Sequence, residues 1–411
     1  MSGNSSVQRF AGGEWLTRPL MIFTAGLMAA GTIAAILFLF ITGTGTLDFA
    51  GRPLGTDFSS FFAAGRMVLE GRAAEAYDWV QHFEMQRRIH GSEQQFPWSY
   101  PPIFLLVASL FALLPYIPSF LAWQGASLLA AAVAYSKIIR GPLALLVGFG
   151  FPATLICLGH GQTGFLTAAL MVGGLLAIRR SELLAGVLFG LLAYKPQFGV
   201  LLPFVLAAGG YWRAFFAAAA TVLGLLGITL ALWGWPVWEA FLVSTSATRV
   251  IVFEAGDTGF EKFQSAFAWV RLWGGSVLLA YAMQALVASY VLVVCIWMWR
   301  TASIPFRIKA AALLVGSLLI SPYTLDYDFV VLGMALAFIV AEGMEHGFRP
   351  WEKTVLALAW FAPLLARSMA KLSFLPIGFF MLSIVFLLIA DRAREARRSR
   401  KNVAPEQLAL T

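Results

Sequence analysis

The chain is poor in the residues that build disulfide-stapled, metal-bound or soluble proteins. Its 411 residues include two cysteines, four histidines and 12% charged side chains. Cys157 and Cys295 both sit inside apolar runs. Two such thiols make neither a disulfide framework nor a zinc site, and they read as small buried hydrophobes. His82, His90, His160 and His346 are scattered, with no partner at ligand spacing, so neither a metal nor a cofactor is expected. So little charge, beside 60% hydrophobic residues and a mean hydropathy of +0.79, excludes a soluble chain of this length. The formal charge of +8 comes without a basic-aromatic motif, so nucleic acid is not an expected partner.

What the chain does contain is a series of apolar runs from Leu20 to Ala390. They are too long and uninterrupted for barrel strands, which leaves an all-α polytopic membrane protein. The first run, Leu20 to Ile41, is longer than a signal-peptide core and reads as a retained span. About 12 transmembrane helices are expected, counting a hairpin from Leu183 to Gly210 as two. The hairpin is broken at Tyr194-Lys195-Pro196-Gln197, so each arm is too short to cross alone. A single transmembrane domain, 20–390, then lies between an N-terminal segment, 1–19, and a basic tail, 391–411, expected to be disordered. Two long loops, 43–118 and 234–275, interrupt it; the first holds juxtamembrane helices. With both termini cytoplasmic, more than half of the 29 Lys and Arg fall on the inner side, as membrane orientation requires. Both long loops are then outside.

The polar groups that interrupt the apolar runs fall on that outer face. Gly55 to Tyr77 opens with Asp57 and continues as a helix with an apolar side (Phe58, Phe61, Phe62, Val68, Leu69) and a polar side (Ser59, Arg66, Glu70). Such a helix is expected to lie along the membrane surface. Asp57 is an N-cap, an ionised carboxylate available as a base, or both at once. Lys195, in the middle of an apolar hairpin, calls for an anion such as phosphate, or else snorkels to the interface. His160 and Gln162, in GHGQ, are interhelical hydrogen-bonders or ligand contacts. Asp326, Tyr327 and Asp328, in SPYTLDYD, and Tyr100, in FPWSYPP, complete the group; the two carboxylates equally suit the cap of the next helix.

GTDFSSFFAAGRMVLEG with the following AYD, then WSYPP, GHGQ, YKPQ and SPYTLDYD, in this order, resembles glycosyltransferase family 87. The resemblance implies the C-type membrane glycosyltransferase architecture in a bacterial inner membrane. It implies inverting transfer of a hexose, with mannose first, from a polyprenyl-phosphate sugar to a hydroxyl of a lipid or glycan acceptor outside the cytoplasm. Asp57 would be the base, and Lys195, His160, Gln162, Arg66, Tyr100, Asp326, Tyr327 and Asp328 would hold the donor phosphate and substrate. The mannosyltransferase branch carries histidines after the Ser-Pro pair, whereas this chain reads Leu325-Asp326-Tyr327-Asp328. The alternative is a secondary transporter or lipid flippase, which also places charge within the membrane. No internal repeat and no matched pair of broken helices supports that alternative.

Overall fold

The computed structural model describes residues 3–407, with side chains described for 7–398. The outermost residues of the expected terminal segments 1–19 and 391–411 lie outside them. In order, the helices are α1 Gly3–Gly12, α2 Arg18–Thr42, α3 Thr56–Leu69, α4 Trp79–His90, α5 Pro102–Phe111, α6 Tyr116–Ile138, α7 Pro142–Phe149, α8 Pro152–His160 and α9 Gly164–Ala177. They continue as α10 Glu182–Gly190, α11 Leu202–Ala208, α12 Trp212–Thr248, α13 Ala266–Leu272, α14 Val277–Arg300, α15 Phe306–Ile320, α16 Val330–His346, α17 Glu352–Ser373 and α18 Ile377–Gln407. No strand occurs among the described residues, so the all-α expectation holds.

Local chemistry sets the boundaries. Thr17 caps α2, Asp78 caps α4, Ser181 caps α10 and Ser276 caps α14, each with its side-chain oxygen accepting a backbone N–H of the first turn. Proline opens α5, α7 and α8, where its missing N–H is no loss.

Among the described residues, six helices are long and apolar enough to cross a membrane, or seven if the pair α7 and α8 is one span. Twelve crossings were expected, and several of the remaining apolar runs form helices that are bent or short. The run at 143–158 breaks at Gly150-Phe151-Pro152 and bends by 54°. The run at 163–178 yields only the 14 residues of α9. The hairpin is present as two short arms, α10 and α11, divided by the 3-10 turns Leu191–Tyr194 and Pro196–Phe198 around Lys195. The expected span 214–233 runs on to Thr248 through a kink at Gly234, so the second loop starts as helix.

The main core gathers around α15, which is buried along almost its whole length, with α14, α16 and α18 against it and α9 packed on α16; Cys157 and Cys295 lie within this core. Large apolar side chains on α2, such as Phe23 and Ile41, point outward, as lipid-facing positions do. A second core belongs to the first long loop and corrects the surface-lying reading of its helix. Phe58 to Gly65 of α3 are all buried, against α4, α5 and α6. Ser59 meets Gln86 and His90, and Ser60 meets His82, so a polar seam joins α3 to α4. A third, aromatic cluster of Phe253, Phe263 and Phe267 packs on Tyr323 and fixes the second loop against SPYTLDYD.

The expected disordered tail is helical over its described part. Buried Arg392 pairs with buried Glu352 at 2.6 Å, and Arg349 with Asp391 at 2.7 Å, which carries α18 past Ala390.

Candidate active site

Asp57 lies in the first turn of α3, whose positive end favours a carboxylate. The N-cap itself is Gly55, at φ 70°, with no side-chain capping bond. A Cβ at Gly55 would come 2.4 Å from the Phe120 ring, so the left-handed turn that presents Asp57 depends on glycine. The capping alternative for Asp57 therefore fails. Its carboxylate is half-buried, and Oδ2 accepts a hydrogen bond of 2.7 Å from Gln162 Nε2.

Gln162 reaches Asp57 because α8 ends at Gly161, at φ 71°, where a Cβ would lie 2.5 Å from Cβ of Phe58. That glycine permits α8 to close on α3. Trp123 Nε1 donates to the Gly161 carbonyl, and Gln124 to those of Cys157 and Leu158, so α6 secures the same turn. Gln162 is buried, and its Oε1 accepts from the Tyr100 hydroxyl at 2.9 Å and from the Thr163 N–H at 3.0 Å. Asp57 is thus held by an amide that is itself held at its other end. His160, one turn away, shares a 2.7 Å hydrogen bond with Thr56 through Nδ1.

Lys195 approaches from the hairpin. Its ammonium meets Asp328 Oδ1 at 2.5 Å and lies 5.0 Å from the centre of the Tyr327 ring and 5.3 Å from that of Phe198. Asp328 Oδ2 also accepts the Leu325 N–H. The two side chains are 6% and 1% exposed, so the pair is closed to solvent and its charges cancel. The anion that Lys195 calls for is thus supplied by Asp328.

Asp326 faces the other way. Its oxygens take Arg367 Nη2 of α17 at 3.0 and 2.8 Å, and Oδ1 accepts the Tyr327 N–H. Tyr327 lies between the two ion pairs with its ring centre 6.3 Å from that of His160.

One connected group thus contains Asp57, Tyr100, His160, Gln162, Lys195, Tyr327 and Asp328, with Asp326 at its edge. Asp57 is the carboxylate of the group with no cation partner among the described residues. Arg66 does not join it: it sits in the last turn of α3, exposed and two helical turns beyond Asp57. Sequence reasoning missed Thr56, Thr163 and Arg367. The hydroxyls carry no signal alone, but an arginine inside the apolar stretch 354–370 was visible.

Residues 98–322 match the family model described as glycosyltransferase family 87. No curated protein matches the chain, and no solved structure does. The match takes in Tyr100, His160, Gln162 and Lys195. It excludes Asp57 and stops just before Asp326, both of which the fold brings to the matched residues. Because the match covers more than half of a membrane-embedded chain, the protein belongs to glycosyltransferase family 87 and is a membrane glycosyltransferase.

Proposed function

We propose that the protein transfers a hexose, with mannose as first candidate, from a polyprenyl-phosphate sugar to a hydroxyl of a lipid or glycan acceptor, with inversion at the anomeric carbon. The non-cytoplasmic face of a bacterial inner membrane is the proposed location, with both termini cytoplasmic. The observation that carries the reading is Asp57: a half-buried carboxylate at a helix N-terminus, oriented by Gln162, neither capping nor neutralised.

In this reaction the acceptor hydroxyl gives its proton to Asp57 as its oxygen bonds to the anomeric carbon. The carbon's bond to the phosphate oxygen breaks on the opposite side, and the electron pair leaves with polyprenyl phosphate. That phosphomonoester has a second pKa near 6, so it departs at neutral pH without a general acid. What the leaving phosphate needs is positive charge and hydrogen-bond donors. His160 has Nε2 without a partner among the described residues, which suits such a donor. The Lys195–Asp328 pair contributes by fixing Tyr327 and Thr163, since its own charges cancel.

The test is reconstituted protein with polyprenyl-phosphate mannose and polyprenyl-phosphate glucose, each in turn, and an alcohol acceptor. The expected result is a glycoside of inverted anomeric configuration by NMR, formed from one donor in preference. A product of retained configuration, or none from any lipid-phosphate sugar, contradicts the proposal.

A further inference from the structure

Arg367 is the cation at this site with hydrogen-bonding capacity to spare. It lies in the last two turns of α17, and its side chain is 37% exposed. Asp326 engages Nη2 alone. Nε is buried without a partner, and Nη1 makes no hydrogen bond among the described residues. A guanidinium carries five N–H donors arranged in forks, and a single carboxylate on one nitrogen leaves most of them unused.

One turn further along the same helix is Lys371, exposed and without an ion-pair or hydrogen-bond partner among the described residues. Like charges at positions i and i+4 share a helix face and repel each other, and near a membrane that repulsion is relieved by an anion between them. The flanking side chains are apolar and face outward: Leu364, Leu365 and Leu372 are all exposed. Two cations bordered by exposed leucines match an anionic head on an apolar tail.

We infer that Arg367 and Lys371 form a binding site for a lipid-linked phosphate. The inference rests on the donor proposed above and assigns the phosphate subsite of the reaction to α17 instead of the hairpin. Asp57 and Arg367 stand at the two ends of a series of contacts that runs through Thr56, His160, Tyr327 and Asp326. Arg367 and Lys371 bind the phosphate oxygens here; the Arg fork gives direction and the Lys adds charge.

The experiment measures binding of polyprenyl phosphate, the leaving group without sugar, to full-length protein in nanodiscs, with phosphatidylglycerol as the competing phosphate lipid. Arg367→Gln is expected to weaken binding roughly tenfold or more, on the scale of a lost charge-assisted contact. Lys371→Gln, at an exposed position, weakens it several-fold. Arg367→Gln strands buried Asp326, so the pair Arg367→Gln with Asp326→Asn is measured as well; it is expected to fold and still bind weakly. Wild-type affinity in the double variant together with Lys371→Gln overturns the assignment. Equal competition by phosphatidylglycerol overturns it too, because the site is then a general headgroup contact. Failure of the wild-type protein to bind polyprenyl phosphate at all is a different outcome, and it contradicts the donor reading itself.

Discussion

Among single residues, Lys195 separates what the sequence implied from what the fold does. A lysine in an apolar hairpin demands an anion, and that demand is met internally by Asp328 from 133 positions away. No sequence pattern announces such a pairing. Removing one partner of a buried ion pair typically costs about 3–5 kcal/mol, whereas replacing both with apolar residues is often near neutral. Lys195→Met alone should therefore lower the melting temperature sharply, and Lys195→Met with Asp328→Leu should recover most of the loss. Thermal unfolding in detergent measures this, and a single variant as stable as wild type would contradict a structural pair. Asp57 was more legible: its place before an apolar helical run gave two readings, and Gly55 as the N-cap removes the capping one.

The seam between α3 and α4 is the device of interest at the level of elements. His82, Gln86 and His90 recur every four residues and so share one helix face, and that face meets Ser59 and Ser60 of α3. The spacing was readable, but it reads as a seam only once α3 is known to be packed against α4 and not against lipid. Burial pushes His82 down to about 3 and His90 to about 4, so both stay neutral in the folded protein. Above about pH 6.5 the folded and unfolded states are equally unprotonated and the seam is unaffected. Below that value the unfolded histidines take up protons that the folded ones refuse, and stability falls as pH drops toward 4. At pH 5 the loss is on the order of 4 kcal/mol for the two together. Hydrogen-exchange protection over α3 and α4, taken relative to the intrinsic rate at each pH, should fall between pH 7.5 and pH 5, most of all in amides facing the seam. Unchanged protection across that range would contradict neutral, buried histidines.

For the whole molecule, composition and apolar runs gave the class, an all-helical membrane protein, while only six or seven of the twelve expected crossings are long apolar helices among the described residues. A hydropathy run counts apolar residues and is blind to the bend between α7 and α8 or to the 3-10 turns around Lys195. The proposed orientation, with both termini cytoplasmic, is open to direct test. Cysteines introduced at Glu93 and Gly256 should react with a membrane-impermeant reagent from outside, and one at Ser303 should not; the reverse pattern would invert the topology. The central claim is that Asp57 acts as the base, and purified Asp57→Asn addresses it most directly. Asn keeps the size of the side chain and can still accept the hydrogen bond from Gln162, yet it cannot take the acceptor's proton at neutral pH. Initial transfer rates with saturating lipid-linked donor should fall about 100-fold or more while fold and insertion stay intact. Transfer by Asp57→Asn at the wild-type rate would contradict the account.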